Sequence, residues 1–336
     1  MATENNILSG FVQLGKGVTS PITSITIYDT IYKYGLNMDV SIQDPTLSIV
    51  DNGGLKIGNT VSITLESSGY SLDNYPMQIE TYEHDGKNLL LKLSSPIIRT
   101  KCKSYTNKSI GEICNDVEMG FTNSVDISSP KIPYIFTAER TMEDFFASLC
   151  KSVDGNYLIF VNANGKSVQS SLEDLINQKP TCTAYMGFKV YDGTNYIQCD
   201  QITIFGQRYS NDPRYDTYYY DGNKITHKEY SHTEDRIKFQ NTTSKTFSNP
   251  AYLIPIVSKN IKWQLLRKIM LRTKEWSPLI VAGNVIDTTI CGDAIQVQTN
   301  EKYVLDNTSG KYLVESTIRH QSFGESPVLT MILGRL

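Results

Sequence analysis

The chain carries little charge and no surplus of either sign. Asp, Glu, Lys and Arg make up 20% of its 336 residues, and the formal net charge is -3. A protein that grips a nucleic-acid duplex usually displays a basic surplus, and none is visible. The six cysteines (Cys102, Cys114, Cys150, Cys182, Cys199 and Cys291) form no C-x-x-C pair and have no histidine nearby. Zinc-ligand spacing is therefore absent, and reduced thiols of a cytosolic product are expected. No run approaches the roughly 18 apolar residues of a membrane-spanning helix, so no membrane insertion is expected. Met1–Gly10 has neither a basic region nor an apolar core, so no signal peptide is expected. Without a secretory route, the Asn-x-Ser/Thr triplets at Asn107, Asn241 and Asn307 carry no meaning.

What the chain does have is tyrosine (21 residues), with abundant Ser and Thr. That mix leans towards β-structure and towards surfaces that contact other proteins. The stretch Met38–Leu65 holds two β-type runs joined by a glycine turn. Its second run alternates, with Val61, Ile63 and Leu65 on one face and Thr60, Ser62 and Thr64 on the other, the period of a half-buried strand. Asp51-Asn52-Gly53-Gly54 supplies residues suited to a tight reversal, and Gly58-Asn59 opens the next strand.

The same stretch has an echo near the other end. Cys291-Gly292-Asp293-Ala294-Ile295-Gln296-Val297-Gln298 repeats the sense of Ile57–Thr64. Met77–His84 aligns without gaps on Leu313–His320, which makes His84 and His320 equivalent. A turn carrying Gly86 or Gly324 follows each copy, then an apolar strand, Leu89–Leu93 or Val328–Leu333. Upstream, Ser24–Tyr28 resembles Gln201–Phe205. Two copies are too few for a solenoid and suit a duplicated barrel. The structural turn residues of the repeat are Gly53, Gly54, Gly58 and Gly292.

The expected fold class is α+β, mainly β. A first β domain covers 1–100, with strands Ile22–Ile31, Met38–Val50, Ile57–Leu65, Met77–His84 and Leu89–Leu93. An α+β insertion covers 101–198 and 222–284. The second β domain covers 199–221 and 285–336. Within the insertion, Ser109–Val117 and Ser171–Gln178 read as short helices. Thr141–Val153 reads as a longer one, with Thr141 as N-cap and an apolar stripe of Met142, Phe145, Phe146, Leu149 and Val153. Tyr157–Val161 is a strand. Gln201–Ser210 and Arg214–Asp221 look like strands, Asp221–Pro250 is polar loop with some extended structure, and Ser258–Trp276 reads as a helix.

No candidate catalytic or metal site survives inspection, so no enzyme and no cofactor are expected. Gly53-Gly54-Leu55-Lys56-Ile57-Gly58 lacks the Lys-Ser/Thr and following helix of a phosphate loop. Ser231-His232-Thr233-Glu234-Asp235 places triad-type residues side by side in sequence, where triads need them to meet in space; a solvated loop is the plainer reading. His84 and His320 lack partners at ligand spacing. Lys259, Lys262, Arg267, Lys268, Arg272 and Lys274 form either a solvated helix face or a docking face for an acidic partner or passing nucleic acid, the first being simpler. Tyr215 and Tyr218–Tyr220 suit a protein interface as well as ring stacking on sugars or bases.

A resemblance follows from four segments: Ile25-Thr26-Ile27-Tyr28-Asp29-Thr30-Ile31-Tyr32 with Met38–Leu65; Pro133-Tyr134-Ile135-Phe136 before Thr141; Asp174-Leu175-Ile176-Asn177-Gln178-Lys179-Pro180; and Lys311–Ile318. In order and spacing the chain resembles the baseplate central hub subunit of contractile-tailed phages of the T-even type. The resemblance implies two tail-tube-like antiparallel β-barrel domains with an α+β insertion. It implies a homotrimer whose pseudo-sixfold ring adapts the sixfold tail tube to the threefold central spike. The implied partners are the spike, the tail tube protein, baseplate wedge proteins and DNA passing through a channel without sequence-specific binding. The implied location is the virion tail baseplate, assembled in the host cytoplasm. Because the chain stops at Leu336 straight after its last strand, the spike is expected to be a separate chain. A receptor- or glycan-binding tail component, or the hub of a phage-derived contractile injection system, is the alternative, and a cell-wall-degrading tail enzyme a third reading.

Overall fold

A computed structural model of the chain describes residues 9–52, 55–67, 70–96, 103–109, 112–113, 116, 131–137, 141, 157–186, 196–198, 201–204, 217–220, 225–233, 236–244, 277–284, 289–299, 309–325 and 327–335. The structure is mainly β. Its first unit is built from β1 (Ser9–Gln13), β2 (Thr19–Thr30), β3 (Asn37–Gln43), β4 (Thr60–Ser67), β5 (Tyr70–His84) and β6 (Asn88–Ser94). The pairing order β1-β4-β5-β6-β3-β2 returns to β1, because Phe11 stands opposite both Thr64 of β4 and Pro21 of β2. The result is a closed six-stranded antiparallel barrel.

Alternation along each strand fills the barrel. Ile25, Ile27, Met38, Val40, Ile42, Val61, Ile63, Leu65, Met77, Ile79, Leu89, Leu91 and Leu93 all point inward and are at most 2% exposed. Each such side chain contributes about 1.5–3 kcal/mol through the surface it removes from water. A bulge between Ile22 and Ser24 resets the phase of β2, so that Ile22 and Ile25 both face the core.

The strand expected over Met38–Val50 stops at Gln43. Ser48–Asn52 forms a short helix, α1. The cause is Asp44, a buried carboxylate. Its Oδ1 and Oδ2 accept the Ile49 N–H at 3.1 and 3.2 Å, and Oδ2 accepts the Val50 N–H at 3.2 Å. Those are donors that a helix start leaves without partners. His84 braces the same corner. Its Nδ1 accepts the Gly86 N–H at 3.0 Å, which leaves Nε2 as the donor to the Asp44 carbonyl at 2.6 Å.

The second unit uses β13 (Gln201–Ile204), β17 (Ser277–Asn284), β18 (Ala294–Thr299), β19 (Gly310–Ser322) and β20 (Val328–Arg335). Its order, β13-β17-β20-β19-β18, reproduces the order β2-β3-β6-β5-β4 of the first unit, and every pairing is antiparallel in both. Beyond β18 it diverges: β11 (Cys182–Met186) pairs parallel with β18, and β12 (Tyr196–Gln198) parallel with β11. Among the described residues this second unit does not close into a barrel. The two units form one sheet through β2 and β19, which pair antiparallel from Thr30–Ser316 to Ser24–Ser322.

Strand pairing corrects the alignment of the copies by one position. Bulges lie between Ile79 and Thr81 in β5 and between Val314 and Ser316 in β19. Ile79 and Val314 both face a leucine, Leu93 and Leu333, so Met77 matches Tyr312 rather than Leu313. His84, opposite Leu89, then matches Arg319, opposite Leu329; His320 lies one residue further on, opposite Val328. A gapless match driven by two histidines put residues of opposite faces together, because one residue of slip reverses every side chain.

The remaining described elements are smaller. β7 (Lys103–Lys108) pairs with β8 (Ile132–Thr137), and β9 (Tyr157–Val161) with β10 (Ser167–Ser171). A helix, α2 (Leu172–Asn177), follows β10. The stretch expected to be mostly loop after Asp221 instead holds β15 (Ile225–Thr233) and β16 (Arg236–Ser244), which join β14 (Thr217–Tyr220) in a three-stranded antiparallel sheet. The helices expected after Thr141 and over Ser258–Trp276 lie outside the described residues.

Candidate functional site

A heavily built polar site lies where the two units meet. Asp29 follows Ile25 and Ile27 on the inward face of β2 and is 2% exposed. Charge at such a position requires hydrogen-bonded partners. Its Oδ2 accepts the Ala163 N–H at 2.8 Å and the Cys291 N–H at 3.1 Å, while Oδ1 accepts the Thr317 N–H at 3.0 Å and the Thr317 hydroxyl. One carboxylate thus ties β2 to the turn after β9, to the turn before β18, and to β19. Arg319, 3% exposed, continues the seam and donates from Nη2 to the Thr289 carbonyl at 2.7 Å.

A small apolar core sits beside this node: Ile31, Leu158, Phe160, Leu175, Cys291 and Leu313. It draws together β2, β9, α2 and β19. α2 is lashed to the same place, since Gln178 Nε2 donates to the Gly292 carbonyl and Lys311 Nζ to the Gln178 carbonyl. Burial, first of all, pushes the Cys291 thiol well above its usual range, with the Asp29 carboxylate adding to the shift. That thiol is a packing group rather than a nucleophile.

The repeated turns match in detail. Asn59 N–H bonds to the Lys56 carbonyl at 3.0 Å, and Asp293 N–H to the Ile290 carbonyl at 3.2 Å. Gly58 and Gly292 hold the third place of each turn with φ of +88° and +91°, a conformation that favours glycine. Gly58 N–H then bonds to Ile79 O, and Gly292 N–H to Val314 O, both at 2.8 Å. Gly53 and Gly54 lie outside the described residues.

An open cleft is lined by Lys103, Tyr105, Lys108, Glu112 and Asp116. Its charges are matched: Lys103 pairs with Asp116, and Lys108 Nζ donates to Glu112 Oε1 at 2.8 Å. Ser109 and Glu112 form a reciprocal helix cap, Glu112 N–H to Ser109 Oγ at 3.1 Å and Ser109 N–H to Glu112 Oε2 at 2.8 Å. The Lys108 bond, then the Ser109 N–H, pulls the Glu112 carboxyl down to about 2, and Lys103 lowers Asp116. Both carboxylates stay ionised near neutrality, which suits ion pairs and not proton delivery.

The other sites named from sequence are not assembled. Ser231, His232 and Thr233 lie in β15, opposite Lys238, Ile237 and Arg236, while Glu234 and Asp235 fall outside the described residues. Tyr218–Tyr220 pair with β15, and Tyr215 and the basic stretch 259–274 lie outside. Among the described residues no three His, Cys, Asp or Glu side chains converge as metal ligands, and no helix is long and apolar enough to cross a membrane. The Asp29 node was missed. The available signal was a carboxylate at an inward position of an otherwise apolar strand face.

Neither a protein-family model nor a curated protein matches the sequence. Solved structures do match the fold. The 43 kDa tail protein of prophage MuSo2 from Shewanella oneidensis aligns over 97% of this chain and 96% of its own, at 10% identity and a TM-score of 0.59. The tail protein from Neisseria meningitidis MC58 aligns over 98% and 96%, at 11% identity and 0.55. The E. coli c3393 protein, a type VI secretion system component with structural similarity to the T4 bacteriophage tail proteins gp27 and gp5, aligns over 96% of this chain and 76% of its own, at 10% identity and 0.53. Over nearly its whole length, the chain has the fold of phage tail proteins and of a type VI secretion component that resembles them.

Proposed function

We propose that the chain is the hub subunit of a contractile tail, a non-enzymatic ring component that joins the tail tube to the central spike. The observation that carries this reading is the repeat of five strands in one order, β2-β3-β6-β5-β4 and β13-β17-β20-β19-β18, within one chain. Three copies of a chain with two such units present six similar surfaces, which is what stacking a threefold object on a sixfold tube requires. The nearly full-length likeness to two tail proteins supports the same setting. In this reading the second unit completes a tube-like barrel and residues 101–198 and 222–284 form the insertion, with β11 and β17 lending strands to the main sheet. The ring is a homotrimer in the tail baseplate. It contacts tube, spike and wedge proteins and passes DNA through its channel without reading its sequence.

The likeness to a type VI secretion component favours a second setting for the same role, the hub of a phage-derived injection system with a protein cargo. Imaging the assembled particle tests the role in either setting. Density for three copies between tube and spike supports it. Density for this chain on a peripheral fibre or receptor-binding tip excludes it.

A further inference from the structure

One end of the first barrel is stopped by its own chain. There α1 follows β3, and Ile49, Val50 and Leu55 pack on the barrel core. The other end, where β2 turns into β3, is stopped from far away in sequence. Val161 and Ala163, at the tip of the β9–β10 hairpin, belong to the same core and are 3% and 0% exposed. Asn162 shapes this tip, because its Oδ1 accepts the N–H groups of Asn164 and Lys166, both at 3.1 Å. Gly165 lies so near the barrel wall that a Cβ there would stand 2.7 Å from the Tyr75 ring and 3.1 Å from Leu72. The hydroxyls of Tyr34 and Ser167 share a bond of 3.3 Å beside it.

The same hairpin has a second face. Side chains alternate along β9, so Leu158 and Phe160 leave the strand on the side opposite Val161. Both pack with Cys291 and Leu313 of the second unit. A Cβ at Gly292 would stand 2.7 Å from the Phe160 ring, so the repeated turn of that unit rests directly on the hairpin. The ladder of β9 and β10 joins only these two strands, and among the described residues it extends neither unit's sheet. Side-chain packing and the Asp29 carboxylate, which accepts the N–H groups of both Ala163 and Cys291, hold it in place.

We infer that the β9–β10 hairpin is a wedge that couples the two units. Drawing its tip out of the barrel mouth loosens the Gly292 turn, and moving that turn loosens the tip. The physical reason is close packing: a small element seated between two dense surfaces passes a shift at one face to the other, because neither face has free volume to absorb it. A partner or a load that acts on the hairpin therefore reaches both units at once. The coupling does not rest on the hub reading, and its failure leaves that reading standing.

Thiol labelling of the full chain tests the coupling. Cys291 is the reporter on the second unit, whereas the atoms nearest a Cβ at Gly165 belong to Tyr75 and Leu72 of the first. Gly165→Ala is expected to raise native-state labelling of Cys291 by iodoacetamide about tenfold or more, the effect of overpacking a close-packed site. Cys182 lies in a separate core of the second unit and is expected to label at the parent's rate, which distinguishes local release from global unfolding. Ser167→Ala adds no bulk and removes only the bond to Tyr34, and should give the same pattern at a smaller, severalfold rise. In the reverse direction, Gly292→Ala should speed hydrogen exchange at residues 162–166. Cys291 labelling that stays at the parent's rate in both hairpin variants, or that rises in step with Cys182, overturns the wedge, as does unchanged exchange at the tip in Gly292→Ala.

Discussion

The carboxylate of Asp29 accepts the backbone N–H of Cys291 at 3.1 Å, across 262 positions of sequence. The same group holds Ala163 and Thr317. Asp29→Ala leaves three buried backbone donors without this partner, each worth about 1–3 kcal/mol, so a loss above about 3 kcal/mol is expected in denaturant unfolding. Thr317→Val removes only the hydroxyl and keeps the N–H, and should cost about 1 kcal/mol. Equal effects would show that the carboxylate does not organise the seam.

The two repeated turns differ in what surrounds their glycines. A Cβ at Gly58 meets only the end of Gln78, at 3.6 Å, whereas one at Gly292 lies 2.7 Å from the Phe160 ring. Gly58→Ala should cost about 1–2 kcal/mol for its left-handed backbone. Gly292→Ala adds the clash, bringing the loss to roughly 2–5 kcal/mol. Phe160→Leu should soften Gly292→Ala and leave Gly58→Ala unchanged, as read from melting curves of the double variants.

Asp85 closes the β5–β6 turn by accepting the N–H groups of Lys87 and Asn88 at 2.9 and 2.7 Å. Those bonds, Asn88 first, pull its carboxyl from 3.8 down to about 2. A depressed folded pKa means that stability is present above the unfolded value near 3.8 and is lost as pH falls through about 2. Carbon-detected NMR titration should find the Asp85 midpoint near 2, with Asp85→Asn removing this part of the acid dependence. A midpoint near 3.8 would contradict the turn geometry.

Cys182 and Cys291 are buried thiols, and the Cys291 thiol is pushed up by burial. Both should resist iodoacetamide at pH 8 in the native state and react on unfolding, as peptide mass mapping would show. Rapid native labelling of Cys291 would contradict its place in the core beside Phe160.

Much of this fold was legible because barrel strands alternate. Val61, Ile63 and Leu65 announce β4, and the Gly58 and Gly292 turns announce the repeat, since a tight reversal restricts residue choice. The Ser24–Tyr28 match with Gln201–Phe205 extends to the strand pairing that the described part of β13 makes. Other features carry weak local signals or depend on contacts distant in sequence. Ile49 and Val50 look like strand, yet Asp44, four positions before Ser48, caps a helix there. The bulges at Glu80 and Glu315 fall at equivalent places, so the true match of the copies is also gapless and differs from the one the two histidines suggest by a single position. Parallel pairing of β11 with β18 joins Cys182 to Ile295 with no local signal. The Asp29 node needs partners from three distant segments, so sequence exposes only the oddity of an inward aspartate.

The central claim is that two β units per chain serve a ring of three chains. The most direct test is the mass, by light scattering, of the purified chain alone and mixed with the spike protein of the same particle. The account predicts three copies of this chain in the complex, followed by a pseudo-sixfold channel on imaging. A single copy in both samples would contradict it.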